Sequence, residues 1–149
     1  MRSVITVKQA VPIARLEALL CDALEGGSNY WYMIQDVKEP REWTNFGTGS
    51  ENWNKDKTKF QYLYPFNRGG ALMIDDECAD EPELKEPVCL NFERVEWGVQ
   101  KWSEDAQNTD EKTRTAHPHH WNDMMSESGD ATTADVFLQY CIFGRVIYG

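Results

Sequence analysis

The sequence predicts a single compact α+β domain over residues 1–149, with a small, mainly antiparallel sheet packed against an N-terminal helix and a buried C-terminal helix. Three observations lead to it. Apolar residues recur at helical spacing from Ile13 to Leu24. Short β-branched and aromatic runs bounded by Gly and Pro follow in the middle of the chain. Residues 132–143 are apolar on nearly every side, the mark of a buried helix. A length of 149 residues suits one domain, which can bury roughly 70% of its unfolded surface.

Taken in order, Ser3 to Val7 reads as a short strand, because Val4, Ile5 and Val7 favour extended backbone. Pro12 suits a helix start. Leu16, Leu20, Ala23 and Leu24 continue that helix, and Gly26-Gly27 close it. Ser28-Asn29 make a turn, and Tyr30 to Val37 reads as a strand. Residues 38–58 form a long polar loop set apart by Trp43, Phe46 and Trp53. Phe60 to Tyr64 and Gly70 to Asp75 read as a hairpin around Pro65 to Gly69.

Asp75 to Glu86 is an acidic loop with Lys85 as its one cation. Val88 to Leu90 is a short strand. Phe92, Val95, Val99 and Trp102 mark one helix face, residues 103–116 a loop. Pro118 opens a short helix carrying Trp121, Met124 and Met125. Asp130 is the expected N-cap of the last helix, Gly144 its stop, and Val146 to Tyr148 a terminal strand.

The formal net charge is −10. It argues against direct binding to nucleic acid or to an anionic membrane. Solubility, a basic partner, or imitation of a nucleic-acid backbone all fit it. Cys21, Cys78, Cys89 and Cys141 include no CxxC pair, so a zinc ribbon is not expected. Cys21 and Cys141 sit in apolar patterns as small core residues. No signal sequence is visible, and no apolar run approaches the ~18 residues of a membrane span. A cytoplasmic protein with reduced thiols is expected. P-loop, dinucleotide-binding, nucleophile-elbow and EF-hand patterns are missing, so no cofactor is expected.

Four features carry possible chemistry. The first is Ser28-Asn29-Tyr30-Trp31-Tyr32 behind two glycines. In a strand, Tyr30 and Tyr32 would face one side and Trp31 the other. One reading is a capped helix followed by a strand buried on both faces. The other is a ligand platform, with a ring for stacking, Ser28 and Asn29 as hydrogen-bonding partners, and Trp43 from the loop. The second feature gathers all three histidines, His117, His119 and His120. His119 and Asp123 share a helix face and are weak metal candidates, a two-ligand fragment short of a site. The third is Asp135, which enters an apolar helix and needs a partner if buried; Arg68, Arg94 and Arg145 are the candidates. The fourth is the acidic loop. Its Asp75, Asp76, Glu77, Asp80 and Glu81 suit either plain solvation or contact with a basic partner surface.

Ala23-Leu24-Glu25-Gly26-Gly27-Ser28-Asn29-Tyr30-Trp31-Tyr32 and Asp130-Ala131-Thr132-Thr133-Ala134-Asp135-Val136-Phe137-Leu138-Gln139-Tyr140-Cys141 through Gly149 resemble the start and the end of a widespread family of small, functionally uncharacterised bacteriophage and prophage proteins. The resemblance implies an accessory protein in the bacterial host cytoplasm. Such a protein would counter host defence by binding, without catalysis, either a host defence protein or a nucleotide-like immune signal. Homo-oligomers are expected on general grounds, apart from the resemblance. A small histidine- or metal-dependent nuclease or phosphodiesterase and a phage structural or assembly protein are the alternatives.

Overall fold

The computed structural model describes residues 5, 7–43, 57–76 and 83–149. Helix α1 spans Ile13–Asp22 and buries Leu16, Leu19 and Leu20, the face its spacing predicts. It widens into a π-helical turn, Ala23–Gly27, closed by a bond from Ser28 N to Ala23 O at 3.0 Å. Strand β1 is Tyr32–Lys38, β2 is Ala71–Asp76 and β3 is Val88–Leu90. They form one antiparallel sheet in the order β1-β2-β3. Ile34 pairs with Ile74 and Leu72 with Leu90, so one sheet face is aliphatic. Helix α2 is Phe92–Ala106, α3 is His119–Met125 and α4 is Ala131–Phe143.

Helix α4 is the centre of the fold. Every residue from Thr133 to Ile142 is buried. It touches α1, the π-helical turn, α2, α3 and β3, so it has no solvent face and needs none of the amphipathic patterning of a surface helix. Asp130 caps its start, its Oδ1 accepting from Thr133 N at 2.9 Å. That backbone bond is the first reason the Asp130 carboxyl titrates below the usual range. Gly144 stops the helix in the left-handed conformation, at φ 73°. Arg94 of α2 then reaches across and donates to Cys141 O and Ile142 O, both at 2.8 Å, which satisfies carbonyls at the helix end.

Helix α2 lies against α4 almost backbone to backbone. A Cβ placed on Gly98 would stand 2.5 Å from Cys141 Cα. Gly98→Ala should therefore cost about 1–3 kcal/mol through forced separation of the two helices. Urea unfolding measures this, and a loss below about 0.5 kcal/mol would contradict the close crossing.

The α+β class, the N-terminal helix, β3, the helix after Phe92, the helix after Pro118 and the buried last helix all stand as the sequence predicts. Several other expectations are corrected. Phe60 to Tyr64 is not a strand. It belongs to a kinked 3₁₀ segment, Lys57–Phe66, which ends on Pro65 and Phe66. Strand β2 therefore has no hairpin partner there and pairs with β1 and β3 instead. The helix before Ser28 closes by widening to a π turn, with neither Gly26 nor Gly27 in a left-handed conformation. Helix α2 runs to Ala106, into the expected loop. Ile5 and Val7 lie outside any strand and are exposed. Residues 146–148 form an extended tail held by a side chain and not a strand. Phe46, Trp53 and Cys78 lie outside the described residues.

Candidate functional site

Of the two glycines before Ser28, Gly27 matters for the approach of two segments, while a Cβ on Gly26 would meet open space. A Cβ on Gly27 would stand 2.6 Å from Ala131 O, so the π-helical turn sits directly on the first turn of α4. This brings the Ser28–Trp31 turn over Asp135. Ser28 Oγ and Trp31 Nε1 each donate to Asp135 Oδ1 at 2.7 Å. The Tyr30 hydroxyl donates to Oδ2, as does Gln139 Nε2 at 3.1 Å. Four neutral donors thus surround one buried carboxylate, whose residue is 6% exposed. Charge-assisted bonds of this kind are roughly twice as strong as neutral ones. The three arginines weighed as partners lie elsewhere: Arg94 on the α4 carbonyls, Arg68 beside Glu42 at 3.6 Å, and Arg145 beside Glu83 at 3.9 Å.

Gln139 extends the network to the C-terminal tail. Its Oε1 accepts from Ile147 N at 2.8 Å and Tyr148 N at 2.9 Å, while its Nε2 donates to Tyr148 O at 3.0 Å. The Tyr148 ring stacks on Trp31 at 5.9 Å, and its hydroxyl donates to Asp76 Oδ2.

Of the six residues proposed for a ligand platform, Ser28 and Trp31 are fully buried and have no surface to offer. Trp31 is part of the turn and not of a strand, so the alternating-face argument does not apply to it. Asn29 is exposed. Tyr30 is half exposed with its hydroxyl turned inward. Tyr32 is half-buried and donates to Leu24 O at 2.6 Å. Trp43 packs edge-on against Tyr64, 5.5 Å between ring centres. These rings do not converge on one pocket.

The acidic residues divide in the same way. Asp76 is buried, accepting from Tyr148 and from Glu83 N at 2.9 Å, so it serves the core and not a partner. Asp75 accepts from Gln35 Nε2 at 3.0 Å on the sheet. Glu77, Asp80 and Glu81 lie outside the described residues.

The histidines turn to one another. His119 Nδ1 lies 2.7 Å from His117 Nδ1, and His117 Nδ1 also accepts from His119 N at 3.1 Å. His120 Nδ1 lies 3.2 Å from Thr133 Oγ1, and burial, followed by the neighbouring His119, pushes its pKa below the ordinary value. Among the described residues no group of three or more His, Cys, Asp or Glu is placed to hold a metal, so His119 and Asp123 gain no further ligand.

A further opening is a groove of about 530 Å³ that the sequence did not point to. The 66–71 turn forms one wall and the start of α2 the other. Lys38 and Arg68 stand on one side, Glu93 and Glu96 on the other. The Phe92 ring is 37% exposed at the groove, beside an exposed Cys89. No protein-family model, curated protein or solved structure matches this chain. The site's chemistry therefore rests on its own geometry.

Sequence reasoning missed Gln139 and Tyr148 as network members. It also missed Asp105, which accepts from Thr115 N at 3.0 Å, from Thr115 Oγ1 at 2.8 Å and from the Tyr140 hydroxyl. A Gln inside an apolar helix was the one available signal, since a buried amide demands partners.

Proposed function

We propose that this chain is a phage-type accessory protein that acts by binding, with the groove beside Phe92 as its contact surface for a host protein. The observation that carries the reading is the groove itself. Its lining combines Phe66, Ala71 and a partly exposed Phe92 with charges of both signs, Lys38 and Arg68 against Glu93 and Glu96, a mixture that suits the aromatic core and polar rim of a protein interface. The net charge of −10 favours a basic partner and speeds encounter with it. The resemblance of the two end segments to phage proteins supplies the setting, a bacterial cytoplasm and a host defence component as target.

A nucleotide-like ligand is a second reading, supported by Lys38 and Arg68 on the same rim and by a volume within the range of small-ligand pockets. Expression in a bacterium carrying a defence system that this protein blocks, with phage plating as the readout, tests the reading. Phe92→Asp should lower the protection at least tenfold while leaving the fold intact, because Phe92 is partly exposed and not a member of the buried core cluster. Full protection by that variant would overturn the groove as the contact surface. Thermal stabilisation by a cyclic nucleotide, lost in Lys38→Ala with Arg68→Ala, would move the case to the ligand.

A further inference from the structure

The groove beside Phe92 carries opposite charges on its two sides. Lys38 and Arg68 stand on one, Glu93 and Glu96 on the other, and all four are exposed. Lys38 joins the side of the 66–71 turn through its pairing with Ala71. Glu93 and Glu96 are three residues apart in α2, so their carboxylates share a helix face. The two sides do not pair across the groove. Among the described residues no acid lies within ion-pair distance of Lys38, and no cation lies within it of Glu93 or Glu96. Arg68 has Glu42 at 3.6 Å, but both side chains of that pair are well exposed and water screens it.

We propose that this groove is the contact surface of a two-fold homodimer, in which the cationic side of each copy lies against the anionic side of the other. A two-fold axis brings a surface onto itself, so a contact of one residue with another is repeated with the roles exchanged. Lys38 and Arg68 of one copy then meet Glu93 and Glu96 of the second, and the second copy returns the same contact. A patch of one sign would repel its own copy. Two cations facing two anions attract it, and they also fix the orientation, because the opposite overlay would set like charges together. The Phe92 ring, 37% exposed in the single chain, becomes covered as an aromatic anchor.

The contact is small. Twelve residues line the groove, about half of the roughly 20–30 per side of a standard interface, which makes the dimer a weak one. The net charge of −10 on each copy opposes association. At about 0.15 M salt the Debye length is about 8 Å, so the remote charges are screened more than the pairs in contact. The dimer goes beyond the binding of a host protein and does not depend on it. Where a host protein uses the same groove, the two occupants compete, and the dimer holds that surface covered until one arrives.

Sedimentation equilibrium of the full chain at about 0.15 M salt reads the dimer. A monomer–dimer equilibrium is expected, with a dissociation constant on the order of 0.1 mM. Glu93→Lys with Glu96→Lys makes both sides cationic and should weaken association at least tenfold. It also lowers the magnitude of the net charge, so a dimer formed through any other surface would tighten instead. Where the lysines disturb the helix start, Glu93→Gln with Glu96→Gln takes their place and should weaken association several-fold. Lys38→Glu with Arg68→Glu makes both sides anionic and should behave as a monomer. An equimolar mixture of the two charge-reversed variants should form a heterodimer, since every side then faces its opposite. The proposal is overturned if the parent is monomeric at about 1 mM, if either charge-reversed variant associates as the parent does, or if their mixture stays monomeric. Phage plating reads the host contact separately, so failure of the dimer and failure of that contact are told apart.

Discussion

Asp135→Ala should cost about 3–5 kcal/mol of stability, a large part of the roughly 5–15 kcal/mol that a domain of this size possesses. The substitution leaves Ser28 Oγ and Trp31 Nε1 as buried donors facing nothing. Each stranded donor costs about 1–3 kcal/mol. Tyr30 can turn to water, being half exposed, and Gln139 keeps its bond to Tyr148 O. Those two soften the loss without cancelling it. Asp135→Asn should cost about half as much, because it keeps one acceptor oxygen while turning an amide NH2 toward the remaining donors. Urea unfolding of the two variants gives the comparison, and a loss below about 1 kcal/mol for the alanine would mean that the network is not structural.

The second large effect has the opposite sign. Glu17→Gln should stabilise the protein by about 2 kcal/mol near pH 8 and leave it unchanged near pH 4. Burial raises the folded-state carboxyl from 4.5 to about 7, so the folded chain holds a proton that the unfolded chain releases. Stability is therefore fully present below the unfolded value and falls as pH rises through the window between 4.5 and about 7. That shift corresponds to at most roughly 3 kcal/mol, of which the glutamine recovers a part because its amide is also buried. Thermal unfolding across this pH range measures it. Equal stabilisation at both pH values would point to improved packing and not to the carboxyl.

The elements that the sequence disclosed are those whose signal is local. Asp130 and Gly144 bracket α4 because capping depends on a few neighbouring residues. The spacing of Leu16, Leu20 and Ala23 disclosed α1 in the same way. Phe60 to Tyr64 departs from its expected strand because a short aromatic run does not separate a strand from a 3₁₀ turn, and Pro65 suits a hairpin turn and the end of a 3₁₀ segment alike. The aromatic trio failed for a different reason. Alternating faces hold only in a strand, and Trp31 belongs to a turn whose geometry is set by Asp135, more than a hundred residues away. Asp135's need for a partner was legible. Its answer was not, because four neutral donors satisfy it where a single arginine was sought. The Phe92 groove had no local signature at all, since its walls come from separate segments.

The contact of Gly27 with Ala131 O, together with the bonds to Asp135 and Gln139, joins residues 23–32 to residues 130–148 as one piece. The side-chain donors of Ser28, Tyr30 and Trp31 have their acceptor, Asp135, in the other segment. A graft of one segment alone would therefore inherit orphaned donors, and a graft of both would still need Arg94, Asp76 and Asp105 of the intervening chain as partners.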